Sequence, residues 1–134
     1  MIRVTLIPGD GIGPEVTEAA RRAIEATGVA IEWDRQDMGA GAFSRTGNPL
    51  PPATLAAIRA SRVALKGPIE TPVTSGLRSS NLTLRQGLDL FANIRPCRLY
   101  PGVPSRYDRV DLVVVRENTE GCTPVSSWSS ARRV

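Results

Sequence analysis

The chain has 134 residues, of which 41% are hydrophobic, enough for one compact domain with a modest core. Its net charge of +4 comes from dispersed arginines without interleaved aromatics, which argues against a nucleic-acid-binding protein. Because it contains no histidine, Cys/His zinc sites and Ser–His pairs are excluded. No segment has the length and apolar character of a membrane span. Cys97 and Cys122 lack metal-ligand spacing, and without a signal-peptide pattern we expect a cytoplasmic protein with free thiols.

Patterns typical of strands and helices alternate along the chain. The predicted order is strand 2–7, turn 8–13, helix from Pro14 to Gly28, strand 29–36, loop 39–50, helix from Pro51 or Pro52, strand 62–66, helix 81–89 and strand 110–116. This alternation predicts an α/β fold with a substantially parallel sheet.

The first turn contains three glycines, Gly9, Gly11 and Gly13, and superficially resembles a dinucleotide-binding loop. Such a loop needs Gly-x-Gly-x-x-Gly, and Pro14 stands where the last glycine belongs. The pattern therefore indicates a tight strand-to-helix turn more than a nucleotide fingerprint.

The segment 66–85 is dense in hydroxyl, amide and guanidinium groups. Asn81 and Arg85 stand one helical turn apart, and Ser79 precedes the predicted helix start. Arginine binds carboxylates through two parallel hydrogen bonds, and a helix start also favours an anion. The segment thus predicts a site for a small ligand with several carboxylates. A helix cap followed by a solvated helix face is the alternative reading.

Five motifs carry a resemblance to one enzyme family. They are Leu6-Ile-Pro-Gly-Asp-Gly-Ile-Gly-Pro-Glu15, Lys66-Gly-Pro68, Ser79-x-Asn81-x-x-x-Arg85, Asp89-Leu-Phe-Ala-Asn-Ile-Arg-Pro96 and Arg116-Glu-Asn-Thr-Glu-Gly121. In this order they resemble the isocitrate/isopropylmalate dehydrogenases, and the polar Ser79 and Asn81 resemble the isocitrate branch. Homoisocitrate, isopropylmalate and tartrate dehydrogenases remain the alternative branches.

The resemblance implies two sets of binding residues. Residues expected to bind the substrate carboxylates and hydroxyl are Ser79, Asn81, Arg85, Arg95 and Arg116. Residues expected near the nicotinamide end of the cofactor are Ile12, Glu70 and Thr71.

The resemblance also implies a reaction: oxidative decarboxylation of isocitrate to 2-oxoglutarate with NAD or NADP and Mg²⁺ or Mn²⁺. The family's catalytic tyrosine, lysine and metal-binding aspartates have no counterparts in this chain, so we expect no catalytic and no metal-ligating residue in it. The chain is then an N-terminal portion of a fold whose members form dimers or larger oligomers. We expect residues 1–100 to begin the large α/β domain, 101–121 to begin the small domain, and 122–134 to form a non-family tail.

The tail after Gly121 departs from the family pattern. Reading it one nucleotide later permits Tyr-Ser-Gly-Ile-Glu, which favours a one-base deletion near codon 122; a natural divergent tail is the alternative. A truncated chain would have an incomplete sheet with unpaired edges and a tendency to aggregate. Two other hypotheses stay open: a non-catalytic anion-binding module, and a subunit completed by a second chain.

Overall fold

A parallel sheet organises the first part of the chain and an antiparallel hairpin the second. This computed structural model describes residues 1–70 and 79–118. Within them the elements are β1 (Ile2–Ile7), α1 (Gly13–Glu25), β2 (Ile31–Arg35), α2 (Ala40–Thr46), α3 (Pro52–Ser61), β3 (Ala64–Lys66), α4 (Ser80–Gly87), β4 (Ala92–Arg98) and β5 (Asp111–Glu117).

The parallel sheet has β1 at its centre, in the order β2-β1-β3. Ile2 is paired with Ile31 at one end of the β1–β2 ladder, and Ile7 with Lys66 at the end of the β1–β3 ladder. A central strand is covered on both faces, and residues 4–7 of β1 are accordingly all buried. The predicted α/β class with a parallel sheet is confirmed.

The core of the first unit lies where this sheet meets α3 and α4. Its buried members are Ile7, Met38, Leu50, Ile58 and Leu84. Buried polar groups here are satisfied by hydrogen bonds, as burial requires. The buried Thr54 hydroxyl donates to the Asp37 carbonyl at 2.7 Å, which ties α3 to the segment before α2.

The hairpin of β4 and β5 belongs to a second compact unit that begins at Asp89. Its ladder runs from the pair Ala92 and Glu117 to the pair Arg98 and Asp111. The predicted strand 110–116 is confirmed as β5, whereas the sequence patterns did not indicate β4. The predicted domain boundaries at residues 100 and 121 stay predictions.

One element was predicted wrongly. Residues 39–50 were expected to be a loop, but Ala40–Thr46 form helix α2. Apart from Gly41, the Gly, Asn and Pro residues that indicated a loop flank the helix: Gly39 precedes it, and Gly47 ends it with a positive φ of 71°. The predicted tail 122–134 lies outside the described residues.

Candidate functional site

The glycine turn after β1 packs directly against the loop after β3. The Asp10 amide donates to the Pro68 carbonyl at 2.9 Å, and the Gly67 amide donates to the Ile7 carbonyl at 2.8 Å. Gly9 has a φ of +81°, and a Cβ there would overlap the Pro68 carbonyl oxygen. Glycine is therefore required at position 9 by the close approach of two backbones.

Asp10 joins three segments of the chain. Its Oδ2 accepts the backbone N–H groups of Ala40 at 2.9 Å and of Glu70 at 3.2 Å, and its Oδ1 accepts that of Gly41 at 3.2 Å. The carboxylate thus caps the first turn of α2, where no residue of the helix itself supplies a cap. Sequence reasoning placed Asp10 only in a turn, because its partners lie 30 and 60 residues away.

Two of the three residues predicted for the nicotinamide end of a cofactor lie around this turn. Ile12 is 68% exposed at the start of α1, and the exposed Glu70 is held through its backbone by Asp10. The Glu70 carboxylate lies over Gly11, since a Cβ there would be 2.7 Å from Glu70 Oε1. An exposed apolar side chain and a carboxylate therefore flank one turn. Thr71 lies outside the described residues.

The helix α4 presents the predicted carboxylate-binding groups of the first unit. Ser79 occupies the N-cap position, but its hydroxyl makes no capping hydrogen bond. Its carbonyl accepts the Thr83 N–H at 3.1 Å and the Thr83 hydroxyl at 3.4 Å. Asn81 and Arg85 follow one turn apart, both partly buried, while Leu84 packs into the core. Within the described part of the chain, no hydrogen bond or ion pair engages the side chains of Ser79, Asn81 or Arg85.

Sequence analysis gave Lys66 no role beyond its place in the Lys66-Gly-Pro68 motif. It ends β3, is partly buried, and its Nζ donates to the Gly67 carbonyl at 2.6 Å. Burial lowers the pKa of the Lys66 ammonium, and the positive charge of Arg85 lowers it further, whereas Asp10 opposes the shift.

The other two predicted arginines share one face of the β4–β5 hairpin. Arg116 is opposite Asn93 in the ladder, and Arg95 is two residues beyond Asn93. Directly opposed residues and residues two apart project to the same side of a sheet, so Arg95 and Arg116 are diagonal neighbours. Both are exposed, as is Arg98, which pairs with Asp111 at 3.4 Å. The structure thus brings Arg95 and Arg116 together in the second unit.

The described residues do not fit a divalent metal site. Among residues 1–70 and 79–118, no three Asp, Glu, His or Cys side chains are grouped as metal ligands. In the same ranges, no helix combines the length and apolar character that crossing a membrane requires.

Comparisons with known proteins agree on one family. The family of isocitrate/isopropylmalate dehydrogenases matches residues 3–124. A chloroplastic 3-isopropylmalate dehydrogenase from Solanum tuberosum is 49% identical over 121 residues, covering 90% of this chain and 34% of the relative. A mitochondrial catalytic subunit 6 of NAD isocitrate dehydrogenase from Arabidopsis thaliana is 49% identical over 120 residues, covering 90% of this chain and 32% of the relative.

A solved structure shows the same fold. The isocitrate dehydrogenase from Methylococcus capsulatus is 55% identical and superposes with a TM-score of 0.85, covering 90% of this chain and 36% of the other. The chain thus spans about a third of the length of the relatives it matches. The predicted resemblance to an N-terminal portion of this fold is confirmed.

Proposed function

We propose that this chain, which belongs to the isocitrate/isopropylmalate dehydrogenase family, carries part of a substrate-binding site. The substrate class is a 2-hydroxy polycarboxylate of the isocitrate type. In the family reaction, hydride passes from the hydroxyl-bearing carbon to a nicotinamide, and carbon dioxide then leaves. The contribution proposed for this chain is binding and orientation of the anionic substrate, which such a reaction needs before any bond changes.

The observation that carries this proposal is the state of Arg85. Arg85 is a partly buried residue, and no acceptor engages its guanidinium within residues 1–70 and 79–118. Arg21, by contrast, pairs with Glu25 at 2.6 Å. A partly buried cation without an anion is costly, and a ligand carboxylate would offset that cost. Asn81, one turn earlier, supplies an amide on the same face.

Each predicted side chain has a proposed role. Arg85 and Asn81 bind a substrate carboxylate. The Ser79 hydroxyl, which makes no capping hydrogen bond, donates to another substrate oxygen. Arg95 and Arg116 bind carboxylate groups of the same class of ligand. Their planar donor pairs suit carboxylates better than an ammonium would.

The isocitrate branch is favoured by Ser79 and Asn81. Overall identity does not separate the branches, because an isopropylmalate dehydrogenase and an isocitrate dehydrogenase are each 49% identical to this chain. A hydroxyl and an amide at the start of α4 suit a carboxylate-bearing substrate arm, whereas an isopropyl group would leave them unpaired. Discrimination between the two acids is therefore proposed to lie at Ser79.

For the cofactor, Ile12 and Glu70 offer a surface that fits a nicotinamide ring. The exposed Ile12 side chain would contact the ring face, and Glu70 would approach the polar edge. The nicotinamide, when bound, accepts the hydride. Thr71 is proposed to complete this surface, with NAD and NADP both open as the dinucleotide.

The binding proposal is tested by calorimetric titration of the purified chain with isocitrate. Arg85→Gln is expected to weaken binding about tenfold or more, since a charged hydrogen bond contributes roughly 1.5–3 kcal/mol. Arg22→Gln is the matched control, because Arg22 also lies in the last turn of a helix but is exposed. Equal losses in both variants, or no binding by the unaltered chain, would refute the proposal.

Binding is proposed to occur here without turnover. The described residues bring no metal-ligating cluster together, and the family's tyrosine, lysine and aspartates have no counterparts in the sequence. The purified chain with isocitrate, Mg²⁺ or Mn²⁺ and NAD or NADP should form no reduced cofactor above a protein-free control. A second chain that supplies those groups would restore activity, and the naming of one relative as a catalytic subunit is consistent with such assembly. Sustained turnover by the chain alone would contradict this part of the proposal.

A further inference from the structure

The β4–β5 hairpin has two outer edges whose backbone groups can be assigned from its hydrogen bonds. Within residues 1–70 and 79–118, no third strand pairs with it. The Leu99 N–H donates to the Val110 carbonyl at 2.9 Å, and the Asn118 N–H to the Phe91 carbonyl at 2.9 Å. Because bonding alternates along an antiparallel ladder, these bonds fix which groups point inward. The even-numbered residues of β4 and the odd-numbered residues of β5 therefore direct their backbone N–H and C=O groups outward.

The outer edge of β4 is poorly suited to receive a further strand. Pro96 is one of its outward-directed residues and has no N–H, so a donor is missing from the middle of that edge. The outward-directed residues of β5 include no proline, and its edge is complete. One competent edge restricts strand addition to a closed pair of hairpins, because a second edge would be needed to extend the sheet into a filament.

The side chains of β5 also favour a further neighbour. All seven residues of this strand are exposed, including the apolar run from Leu112 to Val115. Val113 is 59% exposed and Val115 64%. Such side chains stabilise a sheet through contacts with residues opposite them, and β4 supplies these on one side of β5 only. A regular, apolar edge of this kind accepts another strand.

We infer that β5 binds the β5 strand of a second copy of this chain, as an antiparallel strand related by a two-fold axis at Val113. The result is a four-stranded sheet in the order β4-β5-β5-β4. In this register Val113 lies opposite its own counterpart, and Leu112 lies opposite Val114 of the second copy. The second copy is the occupant because β5 is self-complementary in this arrangement. The inference does not depend on the proposed polycarboxylate site.

The charges around β5 favour this register. With the axis at Val113, Arg109 lies opposite Glu117 of the second copy, and directly opposed opposite charges stabilise a strand pair. An axis at Val114 would instead place Asp111 opposite Glu117, and two carboxylates in that position are destabilising. An axis one residue beyond that would set valines against charged side chains.

The symmetry of the pairing determines what each face of the joined sheet presents. The axis is perpendicular to the sheet, so each face of one hairpin continues on the same face of the other. Arg95 and Arg116 of both copies therefore lie on one side. The opposite side carries Ile94, Val113 and Val115 of both copies.

Sedimentation equilibrium of the purified chain tests the inference, and a concentration-dependent equilibrium between monomer and dimer is expected. Val113→Pro removes an outward N–H at the axis and should weaken dimerisation about tenfold or more. Ile94→Pro is the matched control, because Ile94 is 58% exposed, lies on the same face and directs its N–H outward from β4. Circular dichroism establishes that both variants are folded. A monomer at every concentration, or equal effects of the two prolines, would overturn the inference.

A charge exchange at Val113 tests the position of the axis. Val113→Lys and Val113→Glu each place like charges opposite one another across the axis, so each variant alone should be monomeric. An equal mixture of the two should form the dimer again, because lysine then lies opposite glutamate. A variant that had merely lost its fold would not be rescued in this way. Two folded variants that remain monomeric when mixed, or that dimerise as well as the unaltered chain, would refute pairing at Val113.

Discussion

Asp10 and Glu70 are 60 residues apart in sequence, yet Asp10 Oδ2 accepts the Glu70 N–H at 3.2 Å. The same oxygen accepts the Ala40 N–H at 2.9 Å. One carboxylate therefore fixes both the start of α2 and the backbone of a residue proposed to contact the cofactor. A conformational change in either loop would be transmitted to the other through this side chain.

Replacing Asp10 by Ala should destabilise the protein by roughly 2–3 kcal/mol, because a helix cap is lost and backbone donors lose their acceptor. Urea unfolding followed by circular dichroism measures the change. Asp37→Ala is the matched control: Asp37 is 59% exposed and pairs with Arg45 at the surface, so its loss should cost less than about 1 kcal/mol. Equal effects of the two substitutions would show that Asp10 is not the tie between the loops.

A second prediction concerns Gly9. Gly9 and Gly28 share a φ of +81°, but a Cβ at Gly9 would overlap the Pro68 carbonyl, whereas nothing lies within 4 Å of one at Gly28. Gly28→Ala should cost about 1–2 kcal/mol for the left-handed backbone alone. Gly9→Ala should cost about 1–3 kcal/mol more, because the β3 loop must move.

Urea unfolding of the Gly9→Ala and Gly28→Ala variants separates the two contributions. Similar losses of stability would mean that the turn and the loop after β3 do not approach closely in solution. The proposed binding surface depends on that approach, since Gly67 and Glu70 belong to the same loop.

Local patterns predicted the backbone of this fold well where one residue type decides the conformation. Pro14 and Pro52 lie at the starts of α1 and α3, as proline's fixed φ favours. The sequence did not predict helix α2, because the residue that caps its first N–H groups is Asp10, thirty residues upstream. The glycines at both of its ends are typical of a loop, and the local sequence does not show the distant carboxylate that caps the helix.

The sequence predicted which side chains share an element but not which elements lie close together. Spacing alone indicated that Asn81 and Arg85 share a helix face, because the helical repeat fixes it. The approach of Asp10 to Ala40 and Glu70 depends instead on how three loops pack, and no local pattern encodes that packing. The pairing of Arg95 with Arg116 on one face likewise required the register of β4 and β5.

A third prediction addresses substrate choice. Ser79→Leu should weaken isocitrate binding about tenfold or more while weakening 3-isopropylmalate binding less, since an apolar side chain suits an isopropyl group. Stability should change little, because the Ser79 hydroxyl makes no capping hydrogen bond. Ser44→Leu is the control, as Ser44 is an exposed helical serine whose hydroxyl donates to the Ala40 carbonyl at 3.1 Å. Tighter binding of 3-isopropylmalate than of isocitrate by the unaltered chain would contradict the isocitrate assignment.

The last prediction follows from the electrostatics of Lys66. Burial and Arg85 lower its pKa in the folded protein below the ordinary 10.5, so between those two pKa values the unfolded chain binds more protons than the folded one. Stability contributed by this group therefore rises with pH across that window.

Comparing urea midpoints of the unaltered chain and Lys66→Met at each pH removes the contributions of other titrating groups. The difference should favour Lys66→Met at neutral pH and shrink as pH approaches 10.5. A difference independent of pH would show that burial and Arg85 do not lower the pKa of Lys66.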